Sequence, residues 1–440
     1  VVYPDTEEDV ALVVRAAHEH GVVLVPFGGG SNIAGCLVPS DRSGRMVVSL
    51  DMCRIHRVLE VDRYSLTARI QPGVYGQHLE DQLAEHGVTL GHFPDSFLHS
   101  TLGGWVATRS AGMQSDIYGK IEDMVISLRM VTPSGTIITR TVPKSSNGID
   151  IKHLCIGSEG ILGVITEVVV QVHHKPEKED WYGWLFPDFK SGLDAIHECH
   201  RGDCMPTVTR LNDPKKTALS FAFKHPKTGI KDKIAKAFKW YIGNVKKIDF
   251  NQCCLMVVKY EGTPQAFNRI KNRVTAIYKK HRGVCLGAEP GRSFAKVKFD
   301  FPHLRDYVMD RSIMADVSET ATTWDNLRTL HESGLADVEQ AIKDTGVDAW
   351  VGCHLSHSYR TGASLYFTFG CLQREGREIE QYLYVKKAAE DAFMKNGGTL
   401  SHHHAVGTEH LPWVEEDLSP TSLLPLEDAS CPGAPVPRQT

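Results

Sequence analysis

The 440-residue chain is 42% hydrophobic and 23% charged, with a formal net charge of -4, the composition of an ordinary globular protein long enough for two or three domains. That balance provides no global field for nucleic acid, and no run of about eighteen apolar residues is present that could span a bilayer. Eleven cysteines scattered from Cys36 to Cys431 without a repeating framework read as reduced thiols in a reducing compartment, since a chain of this size folds without disulfides.

The chain starts at Val1 without an initiator Met, so upstream sequence, including any targeting peptide, is expected. Residues 5–20 predict a helix: Asp5 and Thr6 provide a cap, acids crowd the first turn, and Val10, Val13, Val14 and Ala17 recur at helical spacing. Val22 to Pro26 predicts a strand running into Phe27-Gly28-Gly29-Gly30-Ser31-Asn32. Further strands are expected at 46–50, 66–70, 125–132 and 164–172. From Trp181 to about Gly398 the character changes to repeated strand-plus-helix segments, such as 254–260 followed by 264–280, which indicates a separate α+β domain. The end, from Leu418 to Thr440, is rich in Pro, Ser and Leu without periodicity and reads as an irregular tail.

Gly28 and Gly30 after a strand, with Asp51 some twenty residues on, invite a nicotinamide-type Rossmann reading. Position 33 is Ile where the third glycine belongs, however, and residues 31–45 hold Gly, Pro and Ser in place of an amphipathic helix. Three consecutive glycines still need a reason, because each loses more backbone entropy on ordering than any other residue. A tight turn between strands is the plain explanation; an anion-binding nest of backbone N–H groups is the functional one.

Two more regions of small residues favour the functional reading. One runs from Pro94-Asp95-Ser96 through Ser100-Thr101-Leu102-Gly103-Gly104-Trp105 to Ser110-Ala111-Gly112; the other is Gly157-Ser158-Glu159-Gly160-Ile161-Leu162-Gly163-Val164-Ile165. Three such loops, each beside a β-type run, suit one extended dinucleotide touched from several sides. In combination, P-F-G-G-G-S-N, P-D-S…S-T-L-G-G-W and G-S-E-G-I-L-G-V-I-T resemble the FAD domain of the vanillyl-alcohol-oxidase family over about residues 1–175. The resemblance implies an α+β chain: a two-subdomain PCMH-type FAD-binding domain (1–175), an α+β cap or substrate domain (176–398), and a His-rich loop with an atypical tail (399–440). It places Gly28, Gly29, Gly30, Ser31 and Asn32 near the pyrophosphate of FAD. Along the cofactor it places His92, Pro94, Asp95, Ser96, Thr101, Gly103, Gly104, Ser110 and Gly112, and toward its other end Glu159, Gly160, Gly163 and Ile165. No His stands in the first loop, where some relatives attach the flavin, so FAD is expected to be held non-covalently.

The densest polar cluster of the second half is Ser401-His402-His403-His404, flanked by Gly397-Gly398 and Gly407. Imidazoles titrate near neutrality and both donate and accept, which suits a phosphate or proton-transfer site; a solvated or metal-scavenging tract is the plain alternative. Tyr366, in A-S-L-Y-F-T-F, could equally be core, and Arg305, in F-P-H-L-R-D, could equally pair with Asp306. Together with Thr209-Arg210-Leu211, these segments resemble the alkylglycerone-phosphate synthase family, also called alkyldihydroxyacetone-phosphate synthases, from residue 1 to about Glu416. Such enzymes exchange the acyl chain of acyl-dihydroxyacetone phosphate for a long-chain fatty alcohol, making the ether bond of ether lipids. There is no net redox change, and the flavin serves as a covalent partner through N5. By this resemblance Tyr366, His402, His403 and His404 carry proton transfer and phosphate contact, Arg305 orients substrate near N5, and Arg210 is a cap position. A homodimer in a peroxisome or related microbody is implied as well.

The alternative in the same fold is an FAD-dependent D-2-hydroxyacid dehydrogenase, whose metal motif H-x-G-D-G-N-x-H would align with His354-Leu355-Ser356-His357. A phenol at Tyr366 and an imidazole at His403 in place of metal ligands weaken that hard-cation site, so no metal is expected. A zinc module from His197, Cys199, His200 and Cys204 is too cramped for finger spacing. Between Lys215 and Lys247 ten lysines and one acid, Asp232, surround apolar residues, the pattern of a basic amphipathic helix able to touch an anionic bilayer. Residues 421–440 depart from the family's usual end, and Arg438-Gln439-Thr440 is not a peroxisomal C-terminal signal.

Overall fold

The structure, a computed structural model, describes residues 1–39, 44–222 and 230–419. The expectations for residues 421–440 and for the 223–229 part of the lysine-rich stretch lie outside the described residues. Two compact units divide the chain. The first takes Val1–Gly112, Tyr118–Lys175 and the residues from His403 onward; the second takes Met113–Ile117 and Pro176–His402. The linear division at 175 and 398 thus differs from the structure in two places. Residues 113–117 leave the first segment for the second unit, and the residues from His403 return to the first.

In the first unit, α1 (Glu7–Glu19) opens on a capping box in which Thr6 accepts from Asp9 N and the Asp9 carboxylate accepts from Thr6 N. Val10 and Val14 on its inner face are buried with Leu50, Val131 and Val164. Strands β1 (Val23–Phe27) and β2 (Val47–Asp51) pair in parallel. The described residues between them include no helix that could follow the glycine loop, and the Asp51 carboxylate accepts from Cys53 N at 3.0 Å. Both facts remove the Rossmann reading. A separate antiparallel sheet holds β3 (Val58–Asp62), β4 (Thr67–Ile70), β5 (Val125–Thr132), β6 (Gly135–Ile138) and β7 (Val164–Gln171) in the order β3-β4-β7-β5-β6.

The second unit is built on seven antiparallel strands: β8 (Lys178–Phe186), β9 (Val208–Asn212), β10 (Cys254–Gly262), β11 (Val284–Gly287), β12 (Ile313–Thr323), β13 (Ala349–Ser358) and β14 (Gly362–Leu372). Their order is β11-β8-β10-β9-β13-β14-β12. Helices Phe189–Arg201, Pro264–Lys280, Leu327–Asp344 and Glu378–Lys395 contribute Leu193, Phe267, Leu330 and Phe393 to one core with Trp184, Met256, Leu355 and Phe367 of the strands. Alternation along β14 follows from the pleat: Leu365, Phe367, Phe369 and Cys371 enter this core, and Ser364, Tyr366 and Thr368 point to the other face. Among the described residues no helix is long and apolar enough to cross a membrane, and the ten described cysteines are all free.

Candidate active site

The three small-residue loops of the first unit converge. A Cβ on Gly28 would come within 2.3 Å of Thr101 Oγ1, one on Gly29 within 1.8 Å of the His99 carbonyl oxygen, and one on Gly160 within 3.2 Å of Pro26. Glycine is required here by the closeness of loop to loop, and the same closeness leaves backbone in place of side chains at the surface. Gly163 and Gly112 are equally crowded, by the Val131 carbonyl at 2.4 Å and Phe93 N at 2.6 Å. Ser96 donates to Ser100, and the Ser100 hydroxyl in turn receives the Trp105 indole N–H at 2.6 Å, so the second loop is braced from within.

Asn32 and Glu159 spend their side chains on the 404–407 loop. Asn32 Oδ1 accepts from Ala34 N and Cys36 N, and its Nδ2 donates to the His404 carbonyl at 3.0 Å. The Glu159 carboxylate accepts from Val406 N (2.8 Å), Gly407 N (2.9 Å) and the Cys36 thiol (3.0 Å). Between these anchors Ala405 sits at φ 71° and Gly407 at 55°. A left-handed alanine is strained, and the two side chains supply the bonds that hold it. Burial of this kind pushes the Cys36 thiol up, chiefly by desolvation and then by the neighbouring Glu159 carboxylate.

Among the described residues of this unit, Ser158 Oγ in the third loop and His92 Nδ1 beside the second are shut off from water without a hydrogen-bond partner. His92 packs on Trp105 with ring centroids 4.9 Å apart, and its Nε2 lies 3.3 Å from Ser110 Oγ. Burial, with a smaller contribution from Lys120, lowers its pKa to about 3, so the ring is neutral at physiological pH. A bound ligand with hydrogen-bonding groups of its own would satisfy them. Close-packed glycine loops with unmatched neutral hydrogen-bonding groups fit FAD.

In the second unit the polar face of the sheet gathers five strand residues. Tyr366 stands directly across from His354 on β13 and Glu319 on β12, and His357 pairs with Ser364. His354, His357, Ser364 and Glu319 are buried and Tyr366 is half-buried. Glu319 accepts from the Ser401 hydroxyl at 2.8 Å and, through both oxygens, from His402 N at 3.0 Å. The His402 ring stacks on His357 (5.2 Å) and its Nε2 lies 2.8 Å from Tyr359 Oη. Residues 113–117 support the same face, because Ser115 Oγ meets His357 Nδ1 at 2.7 Å and Asp116 Oδ1 accepts from Ser358 N at 2.8 Å. Glu319 thus lies across from Tyr366 and holds the backbone of His402, the first of the three histidines that the sequence grouped with Tyr366.

Comparison with known proteins agrees with both halves of this description. A model described as "FAD binding domain" matches residues 1–141, and one described as "FAD linked oxidases, C-terminal domain" matches residues 175–425. An alkyldihydroxyacetonephosphate synthase of Dictyostelium discoideum is 42% identical over 414 residues, which is 94% of this chain and 68% of that protein. This chain belongs to the alkyldihydroxyacetonephosphate synthase family of FAD-linked oxidases. A solved structure of an alkyldihydroxyacetonephosphate synthase matches with a TM-score of 0.81 at 39% identity, covering 98% of this chain and 75% of that one. p-Cresol methylhydroxylase, at 16% identity and a TM-score of 0.73 over 98% of this chain, shares the fold.

Of the residues singled out for the synthase family's chemistry, the structure groups Tyr366 with His402 in the second unit, whereas His403 and His404 belong to the first. It does not bring Arg305 to them. That residue, on a helix spanning Phe301–Met309, lines a cavity with Met309, Met314, Ala315, Gln373, Glu378, Ile379 and Tyr382. Met314 is five residues along β12 from Glu319, about 16 Å at the rise of a strand. Arg210 lies over the Phe294 ring at 5.4 Å, a packing role. Asn32, Glu159 and Ile165, assigned to the cofactor, are engaged by the protein: the first two as loop anchors, and Ile165 buried opposite Met130 in the sheet. Of the four zinc candidates, His197 stacks on Trp324 and the His200 ring meets Ser358, while Cys199 and Cys204 are buried together in the core. Glu319, Tyr359 and Ser115 were missed. A lone acid inside the β-branched run V-S-E-T-A-T-T was the available signal for Glu319.

Proposed function

We propose that this chain catalyses exchange of the acyl chain of acyl-dihydroxyacetone phosphate for a long-chain fatty alcohol, giving the alkyl ether and free fatty acid. The observation that carries the reading is the Tyr366, His354 and Glu319 face: a phenol able to take and return a proton stands between an imidazole and a carboxylate. In the exchange the bond from the substrate carbon to the acyl oxygen breaks, carboxylate leaves, the alcohol oxygen bonds to the same carbon and its proton is released. Electrons balance without an acceptor.

The Gly28–Ser31 loop, Thr101, Gly103, Gly104, Ser158 and His92 would hold FAD. When bound, FAD supplies a ring nitrogen, N5, that can bond reversibly to carbon. The protein supplies the proton traffic: Tyr366 Oη takes and returns the proton at the carbon beside the ketone. Glu319 fixes the His402 backbone, and Tyr359 fixes the His402 ring, so that this imidazole is oriented for the second transfer. His403 and His404, on a loop anchored by Asn32 and Glu159, take the substrate phosphate in this reading, an assignment that rests on the family resemblance. Assembly as a homodimer and residence in a peroxisome or related microbody belong to the same proposal and rest on the family resemblance; contact with a bilayer through the lysine-rich 215–247 segment rests on that segment's charge pattern.

The test is direct. Acyl-dihydroxyacetone phosphate and fatty alcohol are expected to yield alkyl product and fatty acid without an electron acceptor and in the presence of a chelator. Dye reduction by a D-2-hydroxy acid, lost on chelation and with no alkyl product, would sink the synthase reading and leave the flavin fold standing.

A further inference from the structure

The helix spanning Pro214–Ala222 begins at a joint with β13. Asp213, fully buried, accepts from Lys216 N through Oδ1 and from Cys353 N through Oδ2, both at 2.7 Å, and its own N–H donates to the Cys353 carbonyl at 2.9 Å. One carboxylate thus ties the helix's first turn to the strand at the residue just before His354. Lys216 and His354 are held in register by this joint, and their side chains meet, with Lys216 Nζ 2.6 Å from His354 Nδ1. The lysine stem packs along Gly352, where a Cβ would come 3.2 Å from Lys216 Cγ.

An ammonium has three donors and no acceptor, so Nδ1 must accept and the neutral ring carries its proton on Nε2. The His354 ring lies 5.0 Å from the Tyr366 ring, and Lys216 Nζ itself is 5.5 Å from the centre of that ring. Among the described residues, the charged and titratable groups facing Tyr366 include Lys216 from the helix, His354 from β13 and Glu319 from β12, with His357 one pairing along and His402 bound to Glu319. A buried carboxylate alone would oppose ionisation of the phenol; a cation at this distance favours it.

We propose that Lys216 is a positioning residue for the proton transfer at Tyr366: it fixes His354 as the Nε2–H tautomer and offsets Glu319, so that Tyr366 can work as a phenolate. This rests on the reading of Tyr366 given above. An aliphatic stem ending in a methyl group would fill the same space yet provide neither the charge nor the donor, and arginine would restore both.

The FAD-loaded protein, with its tyrosines labelled at Cζ, can be titrated by NMR, the Tyr366 resonance being the one that disappears in Tyr366→Phe. Tyr366 is expected to ionise about one pH unit higher in Lys216→Met and close to wild type in Lys216→Arg, with the rising limb of the kcat/KM profile moving in step. Should Lys216→Met fail to retain flavin and melt cooperatively, Lys216→Gln takes its place with the same expected shift. An unchanged Tyr366 titration in the folded variant would overturn the proposal, even if alkyl transfer fell. A shifted titration in a protein that makes no alkyl product supports the Lys216 effect and counts against the synthase reading alone.

Discussion

Gly29 and Tyr366 show two ways of making a surface for a ligand. At Gly29 a Cβ would stand 1.8 Å from the His99 carbonyl, so the loops of the first unit close on one another only because side chains are missing, and backbone is what a ligand meets. At Tyr366 the surface is all side chain: phenol, imidazole and carboxylate are set abreast by the register of β13, β14 and β12. The first arrangement suits a cofactor that must be gripped along its length. The second suits chemistry at one atom, where a group's identity matters more than the space it leaves.

If that difference is real, substitutions in the two regions should separate cofactor binding from turnover. The largest effect is expected for Gly29→Val: its branched side chain collides with backbone that cannot step aside, and flavin absorbance of the purified protein should be lost altogether. Full flavin occupancy in that variant would place the cofactor elsewhere. Tyr366→Phe, by contrast, removes one oxygen from a half-buried face, so flavin should remain while turnover drops by about a hundredfold. Loss of flavin from Tyr366→Phe would erase the distinction between the two regions.

A smaller and graded effect is expected from His92. Its imidazole in the folded first unit takes a proton only at about pH 3, whereas in the unfolded chain it does so near 6.5. Between those values the unfolded state binds more protons, so stability falls as pH is lowered through that window and is regained as pH rises. Thermal melting should show a midpoint that declines on acidification, with a shallower decline in His92→Asn. An equal slope in the variant would mean that other groups dominate the acid response.

Much of this was legible along the chain. The strands at 125–132 and 164–171 and the helix at 264–280 follow from local propensity and periodicity, which neighbouring residues set by themselves. The glycine loops could be read for a related reason: a backbone that must turn sharply or approach another closely admits one residue type, and three such loops in one chain narrow the ligand to something long and flat. What the sequence could not order was the pairing of distant residues. Glu319 meets Tyr366 only because β12 lies beside β14, and Lys216 meets His354 only because Asp213 bonds both the helix start and Cys353. The same holds for Asn32 and Glu159, whose side chains bond the 404–407 loop hundreds of residues away, and for Arg305, which the fold directs to a separate cavity. Side-chain roles of this kind depend on which strand ends up next to which, a choice made by burial of the whole core and carried by no local segment.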